Sequence, residues 1–287
     1  MAEEQKRRPA PDPTMKEIQP PVKLFDDLYF IGNKAVGSWI IPTSEGLVLI
    51  EAGNDADTWE KCLKPGLEKI GFGNEKILAI LLTHGHMDHY GGSDHIMRAT
   101  GCEVCMTATD ALYMNQRKKN RRTNTEQGVS APMITRLIAP GDELVFGDHV
   151  ISVLDGAGHT PGCVNYSMDV HEGNETHRFI MVGGFGVFGL NEWPDLATSA
   201  KYALIFASTC VSTWEYVKEH NCDIFFNPHP HLCNMWGYAE QNKNRKPGEP
   251  NAFVIGKEGV RKWILDRFDA CMDSVLKFSD IRQPYTE

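Results

Sequence analysis

The sequence predicts an α/β fold built from two similar halves, and three observations carry that expectation. Residues 77–82 form an uninterrupted apolar run, as a strand buried on both faces requires. Three short strand-like segments, at 28–32, 36–41 and 47–51, read as an antiparallel meander ahead of it. Apolar residues recur at helical spacing over 57–70 (Trp59, Cys62, Leu63, Leu67, Ile70) and over 257–276 (Val260, Trp263, Ile264, Phe268, Cys271, Val275), so amphipathic helices are expected to cover the strands.

Taken in order, the chain opens with a tail to about Pro21 holding prolines at 9, 11, 13, 20 and 21. Such a segment is expected to be extended rather than helical. Its expected role is either a leader or a strap along a pocket rim or a neighbouring subunit. After the meander and the helix at 57–70 comes the 77–82 strand, then a helix from about Ser93, a strand near Glu103 and a helix near Asp110. The second half offers strands at 150–154, 164–168 and 178–182, a helix at 196–220, a strand at 224–226 and the closing helix. At 287 residues and 41% hydrophobic, the chain can bury one large core. The expected organisation is a tail over 1–22 and a single domain over 23–287.

The most informative stretch is Thr83, His84, Gly85, His86, Met87, Asp88, His89, directly after Ile80, Leu81 and Leu82. It reads as a buried strand ending in a ligand-rich loop that opens into a helix. Imidazole nitrogens and carboxylate oxygens are natural ligands of zinc and similar ions. Four such side chains in six residues suit two adjacent ions, His84 and His86 on one, Asp88 and His89 on the other. Two partners follow strand-like runs downstream. His159 lies between glycines in Gly156, Ala157, Gly158, His159, Thr160, Pro161, Gly162, and His229 lies in Asn227, Pro228, His229, Pro230, His231. The expected sites are therefore His84, His86 and His159 for one ion, and Asp88, His89 and His229 for the other. His231, two residues from His229, competes for the last place.

These residues resemble the metallo-β-lactamase superfamily, and most closely the third subclass of metallo-β-lactamases. The resemblance runs from about Lys23 to about Lys277 and rests on the H-x-H-x-D-H run, on Gly158 to Gly162, on Asn227 to Pro230, and on Asn251, Ala252, Phe253, Val254 before the last helix. It implies a four-layer αββα sandwich with the ligand loops at strand ends. The strand at 178–182 ends in Gly183 and Gly184, with no bridging Asp of the glyoxalase or lactonase kind, which supports the same placement. The serines that help lactamases of this subclass hold their drug are replaced by Gly184, Phe185, Gly186, Val187 and Phe188.

The expected activity is that of a dinuclear zinc hydrolase, with metal-held hydroxide attacking a carbonyl and Asp88 orienting the water and moving its proton. An amide, lactam, lactone or ester of a small, apolar or aromatic molecule is the expected target. True β-lactamase activity is the first alternative and a di-iron redox protein the second. Phe185, Phe188, Trp236, His231 and Tyr90 are the candidate pocket walls. The net charge of −9 argues against a nucleic-acid partner. The basic residues Arg117, Lys118, Lys119, Arg121 and Arg122 read as a solvated helix end, with attraction of an anionic substrate as the functional option. No run reaches the roughly 18 apolar residues of a membrane span. The N-terminal residues lack an apolar signal region, so a cytoplasmic location is expected unless an export signal has been removed. The eight cysteines have no framework spacing and are expected as buried or free thiols. A homo-oligomer is compatible with all of this.

Overall fold

The computed structural model describes residues 12–120, 132–186 and 196–278. Two sheets form among them. In the first, β1 (Val22–Phe25), β2 (Leu28–Gly32), β3 (Gly37–Thr43), β4 (Gly46–Ile50), β5 (Ile77–Leu81), β6 (Glu103–Thr107) and β7 (Arg136–Ile138) lie side by side in chain order. The meander β1 to β4 is antiparallel, and β4 to β7 are parallel. In the second, β8 (Glu143–Phe146), β9 (His149–Asp155), β10 (Val164–Glu172) and β11 (Glu175–Met181) are antiparallel, and β12 (Ile224–Phe226) adds in parallel to β11.

The strand alternation explains the layers. Val48 and Ile50 of β4, with Ala79 and Leu81 of β5, face the second sheet and join Tyr166, Met168, Phe179 and Met181 in the main core. Their neighbours Leu47, Leu49, Ile80 and Leu82 face the other way, against Trp59, Leu63, Leu67, Ile96 and Met114. Both faces are buried, so the run is apolar throughout. The outer layer on the first sheet comprises α1 (Lys64–Lys69), α2 (Met87–Tyr90), α3 (Ser93–Thr100) and α4 (Ala108–Asn120). On the second sheet it comprises α5 (Leu196–His220) and α7 (Gly256–Phe278), with α6 (Met235–Lys243) between them in sequence. Trp263 of α7 stacks on Phe225 of β12 with centroids 5.4 Å apart. This is the expected four-layer sandwich.

Two local expectations are corrected. The helix at 57–70 divides into a π-helical turn, Thr58–Leu63, and α1. Pro65 has no N–H to give the preceding turn, and the wider turn accommodates the lost bond. The tail is not wholly extended, because Pro13–Lys16 forms a 3₁₀ turn. Asp12 caps it by accepting from the Thr14 N–H at 2.9 Å, and Pro13 at its first position suits helical φ. The tail then straps onto the end of β2, where Gln19 N–H donates to Gly32 O at 2.9 Å and Ile18 pairs with Asn33. Strands β1, β7 and β8 and helix α6 complete the pattern without a clear periodic signal of their own.

All eight cysteines are buried and free. Among the described residues no helix is long and apolar enough to cross a membrane. Arg121 and Arg122 lie outside the described residues, as do the side chains of Arg117, Lys118 and Lys119.

Leu81 is fully buried between the sheets. Leu81→Ala is expected to cost about 2–5 kcal/mol of unfolding free energy. Urea denaturation checks this; a loss below about 1 kcal/mol would mean the intersheet layer relaxes far more than a close-packed core does.

Candidate metal centre

The ligand-rich loop begins where β5 runs out. Both sheets grip it there. Leu82 N–H donates to Cys105 O at 3.0 Å, Val164 N–H to Thr83 O at 2.9 Å, and the Tyr166 hydroxyl to Leu82 O at 2.9 Å. His86 then stands at the N-cap of α2, a single turn that carries Asp88 and His89. His89 O accepts from Ala52 N–H at 2.7 Å, tying the turn to the end of β4. Gly91 passes so close to Asn54 that an added Cβ would lie 1.7 Å from its carbonyl oxygen, so only glycine fits.

The remaining histidines arrive from the second sheet. His159 sits in the loop between β9 and β10, behind Gly158, whose φ of 123° lets the chain pass against Phe206 of α5. His229 follows β12, its N–H accepted by Asn227 Oδ1 at 3.0 Å. Asn227 in turn donates to Val182 O at 2.8 Å. All six expected ligand residues therefore meet at one end of the sandwich, in two groups of three. His84, His86 and His159 form one, and Asp88, His89 and His229 the other.

The hydrogen bonds decide which ring nitrogen points inward. Thr83 gives its hydroxyl proton to Glu51 Oε1, so its oxygen accepts from His84 Nδ1–H at 2.9 Å and leaves His84 Nε2 with a lone pair. His159 Nδ1–H donates to Gly186 O at 3.0 Å, and His229 Nδ1–H donates to Ala35 O at 3.0 Å. Their Nε2 atoms are likewise left as lone pairs. His86 Nδ1 then lies 3.0 Å from His84 Nε2 and 3.2 Å from His159 Nε2. In the other group His89 Nε2 and His229 Nε2 are 3.2 Å apart, and Asp88 Oδ2 is 3.8 and 3.7 Å from them. Zinc–nitrogen bonds of about 2.0–2.1 Å at tetrahedral angles place ligand atoms about 3.3 Å apart. The donor sets fit two such ions, and the 4.2 Å between the His84 and His89 rings makes the groups neighbours.

Electrostatics agree. Burial, reinforced by the surrounding imidazoles, holds His84 well below the ordinary imidazole range, His159 at about 3 and His229 at about 4. Burial pushes Asp88 up, but the imidazoles of His89, His229 and His86 outweigh it and hold the carboxyl at about 2. Burial pulls His89 down, yet Asp88 and Glu51 carry it above the usual value. A cluster of neutral lone pairs around an ionised carboxylate is an environment for a cation.

Two buried acids absent from the sequence reading support these donors. Glu51 ends β4 with φ 71°, a left-handed conformation that costs a non-glycine residue about 1–2 kcal/mol. Its carboxylate accepts from the Thr83 N–H at 3.2 Å and lies 3.5 Å from His89 Nδ1. The one sequence signal for it is an acid closing an apolar strand just before Gly53. Asp110, at the start of α4, accepts from Gly85 N–H, Gly162 N–H and the Thr160 hydroxyl, each at 2.6 Å. It thus clamps the loop of His84 and His86 to the loop of His159. Burial pushes its carboxyl pKa up despite these donors.

The expected pocket walls are dispersed. His231 lies edge-on to His229 with centroids 5.6 Å apart. Trp236 donates its indole N–H to Lys34 O at 3.1 Å, beside the Ala35 that anchors His229. Phe185 has one face under the Arg267 guanidinium, 3.6 Å from the ring centre. Tyr90 is 5% exposed and packs in the outer core, so it has little surface to offer a substrate. Phe188 lies outside the described residues.

Comparison with known proteins agrees with this geometry. The model of the metallo-beta-lactamase superfamily matches residues 32–237. A hydroxyacylglutathione hydrolase of Rhodospirillum rubrum is 34% identical over 90 residues, which is 31% of this chain and 28% of the relative. A probable metallo-hydrolase of Bacillus subtilis is 32% identical over 98 residues, 31% of this chain and 43% of that one. The chain thus spans under half the length of these curated relatives. Among solved structures, BJP-1, a subclass B3 metallo-beta-lactamase of Bradyrhizobium japonicum, superposes with a TM-score of 0.77 at 22% identity, covering 94% of this chain and 99% of that one. The native FEZ-1 metallo-beta-lactamase of Legionella gormanii gives 0.77 at 21% identity, covering 92% and 98%. At such identities the likeness is one of fold.

Two outcomes follow for the isolated protein. Elemental analysis of His229→Ala is expected to show one ion fewer than the unaltered chain, while His231→Ala keeps the full number; the reverse would move the second group onto His231. In the ion-free protein, unfolded histidines titrate near 6.5, whereas His159 and His229 wait until about 3 and 4. The unfolded chain therefore binds more protons in that window, and stability falls as the pH falls through it, His89 opposing in part. Thermal unfolding of chelator-treated protein is expected to show a lower midpoint near pH 4.5 than near pH 7.5. Equal midpoints would contradict the burial of neutral imidazoles.

Proposed function

Because the chain belongs to the metallo-beta-lactamase superfamily, we propose that it is a dinuclear zinc hydrolase acting on an amide, lactam, lactone or ester of a small molecule. The observation that carries this reading is the pair of adjacent three-donor groups at the strand ends. His84, His86 and His159 would hold one ion, and Asp88, His89 and His229 the other. Three protein donors per ion leave coordination positions open, the mark of catalytic rather than structural zinc. When bound, zinc lowers the pKa of water to about 7 and polarises a carbonyl.

The chain's own residues do the rest. The Gly186, Ala35 and Thr83 oxygens hold the rings of His159, His229 and His84 in the orientation that exposes Nε2, the role outer partners of metal-binding histidines usually play. Asp88 stays ionised, with 37% of its side chain exposed. Its carboxylate would orient the attacking water, accept its proton and hand it to the leaving nitrogen or oxygen. Trp236 and His231, packed around the loop at Lys34 and Ala35, would give the cleft an apolar, aromatic wall. That supports a preference for an aromatic or apolar substrate.

A second reading, true β-lactamase activity, is supported by the ligand run and the Asn227 to Pro230 segment that resemble the third subclass, the superposition on BJP-1 and FEZ-1 speaking for the fold. Against it stand Gly184, Phe185 and Gly186 where lactamases of this kind carry drug-binding serines.

One kinetic experiment separates these readings. Zinc-loaded protein is assayed on aryl amides, esters, lactones and hydroxyacylglutathione beside a penicillin, a cephalosporin and a carbapenem. Activity on the best substrate is expected to fall at least about 100-fold in Asp88→Asn, the low end of what a positioned acid–base group supplies. Near-normal turnover would reduce Asp88 to a structural role. A kcat/KM of about 10⁵ M⁻¹s⁻¹ or more on any of the three antibiotics, inside the range of native substrates, would establish the second reading over the first.

A further inference from the structure

The strands that carry the metal centre at one end converge three further donors at the other. β9 begins with His149 and leads at its far end into the His159 loop, while β10 starts beside that loop and ends at His171 and Glu172. Asp27, in the β1–β2 turn of the first sheet, reaches across to both. Asp27 Oδ2 is 3.1 Å from His149 Nε2 and 2.5 Å from His171 Nδ1. We propose that Asp27, His149 and His171 form a second, surface site for a divalent transition-metal ion, independent of the centre at His84 and His229.

Donor type, orientation and access all support it. Two imidazoles and one carboxylate are the donor set of many sites for zinc and its neighbours. One ligand atom from each lies within 4.8 Å of the others. Two of the three ligands are held from behind. His149 Nδ1 pairs with Asp148 Oδ1 at 3.1 Å, the carboxylate–histidine arrangement that turns the opposite nitrogen toward a metal. Asp27 Oδ1 accepts the His171 backbone N–H at 2.9 Å, which leaves Oδ2 for the site. The His149 and His171 rings stand at 89° to each other, so their edges converge on that oxygen without stacking.

Exposure is graded as an entry path requires. The His149 side chain is 7% exposed, Asp27 13% and His171 49%. An ion would arrive from water on the His171 side and keep water in its open positions. Seating it needs the 2.5 and 3.1 Å separations to widen to about 3.3 Å, and half-exposed His171 has room to turn. Because Asp27 belongs to one sheet and the histidines to the other, the ion would pin the two sheets together. Binding to the folded chain alone stabilises it by mass action.

The test counts ions. The full chain, stripped and then reloaded with Zn²⁺, is weighed by native mass spectrometry beside His171→Ala and Asp27→Asn. Each variant is expected to carry one zinc fewer than the unaltered chain and to lose part of the zinc-induced rise in thermal midpoint. If His171→Ala does not fold, His171→Gln keeps a polar group against Asp27 while removing the imidazole. The same comparison in a His84→Ala background separates this site from the strand-end centre: adding His171→Ala should remove one more ion there too. Equal zinc counts with and without the His171 substitution, in both backgrounds, would overturn the proposal and leave the trio a hydrogen-bonded intersheet contact.

Discussion

Lone pairs that face one another at close range repel unless a cation lies among them, and that constraint organises one whole end of this protein. Ring nitrogens of five histidines, from both sheets, come within 3.0–3.2 Å of a partner nitrogen. Such convergence has to be imposed by the fold. The rings of His84, His159 and His229 are fixed from the far side by a hydroxyl or a backbone oxygen, and those acceptors belong to strand ends and loops that pack for other reasons. The tight placement of Gly91 and Gly158 and the left-handed turn at Glu51 are local conformational costs borne where the loops must approach closely.

The two sheets divide the work. The first contributes His84, His86, Asp88 and His89 from one short segment, because β5 is central, parallel and buried on both faces and so ends at a defined place. The second contributes His159 and His229 from separate strand ends. What aligns the contributions is a small set of buried polar contacts across the seam. Asp110 holds Gly85 to Gly162, Tyr166 holds Leu82, and Val164 holds Thr83. A buried carboxylate with three good donors is stable, whereas one with a donor removed is left with an uncompensated polar group. This makes Asp110 a point where the geometry of the site and the stability of the fold are coupled.

The opposite end of the same strands shows a looser version of the arrangement. There Asp27 bridges the sheets with two histidines, at the surface and with one ring half exposed. The contrast shows what burial adds. At the strand-end centre burial lowers the pKa of His84, His159 and His229 and keeps them neutral. At the Asp27 cluster water reaches His171, and a hydrogen-bonded histidine and carboxylate can stand without an ion.

The six donors that the fold groups together were legible in the sequence because each stands just after a strand-like run. H-x-H-x-D-H lies in one run after an apolar strand, and His159 and His229 each follow a strand of their own. The layers were legible because alternation and helical spacing leave periodic traces, as in Leu47 to Ile50 and Val260 to Cys271. Other features have no such trace. Glu51 and Asp110 are single acids whose meaning lies in which distant amides they meet. The π turn at Thr58–Leu63, the 3₁₀ turn at Pro13–Lys16 and the short edge strands β7 and β8 depend on neighbours as much as on their own residues. The packing of Phe185 against Arg267 and of Tyr90 into the outer core was likewise decided in three dimensions, since an aromatic side chain buries its surface wherever the assembled layers offer a partner. By itself the sequence determined which donors exist and which strands end beside them. Tertiary structure decided which nitrogen of each ring faces inward, because that depends on hydrogen-bond acceptors brought from as far as 194 residues away in the chain.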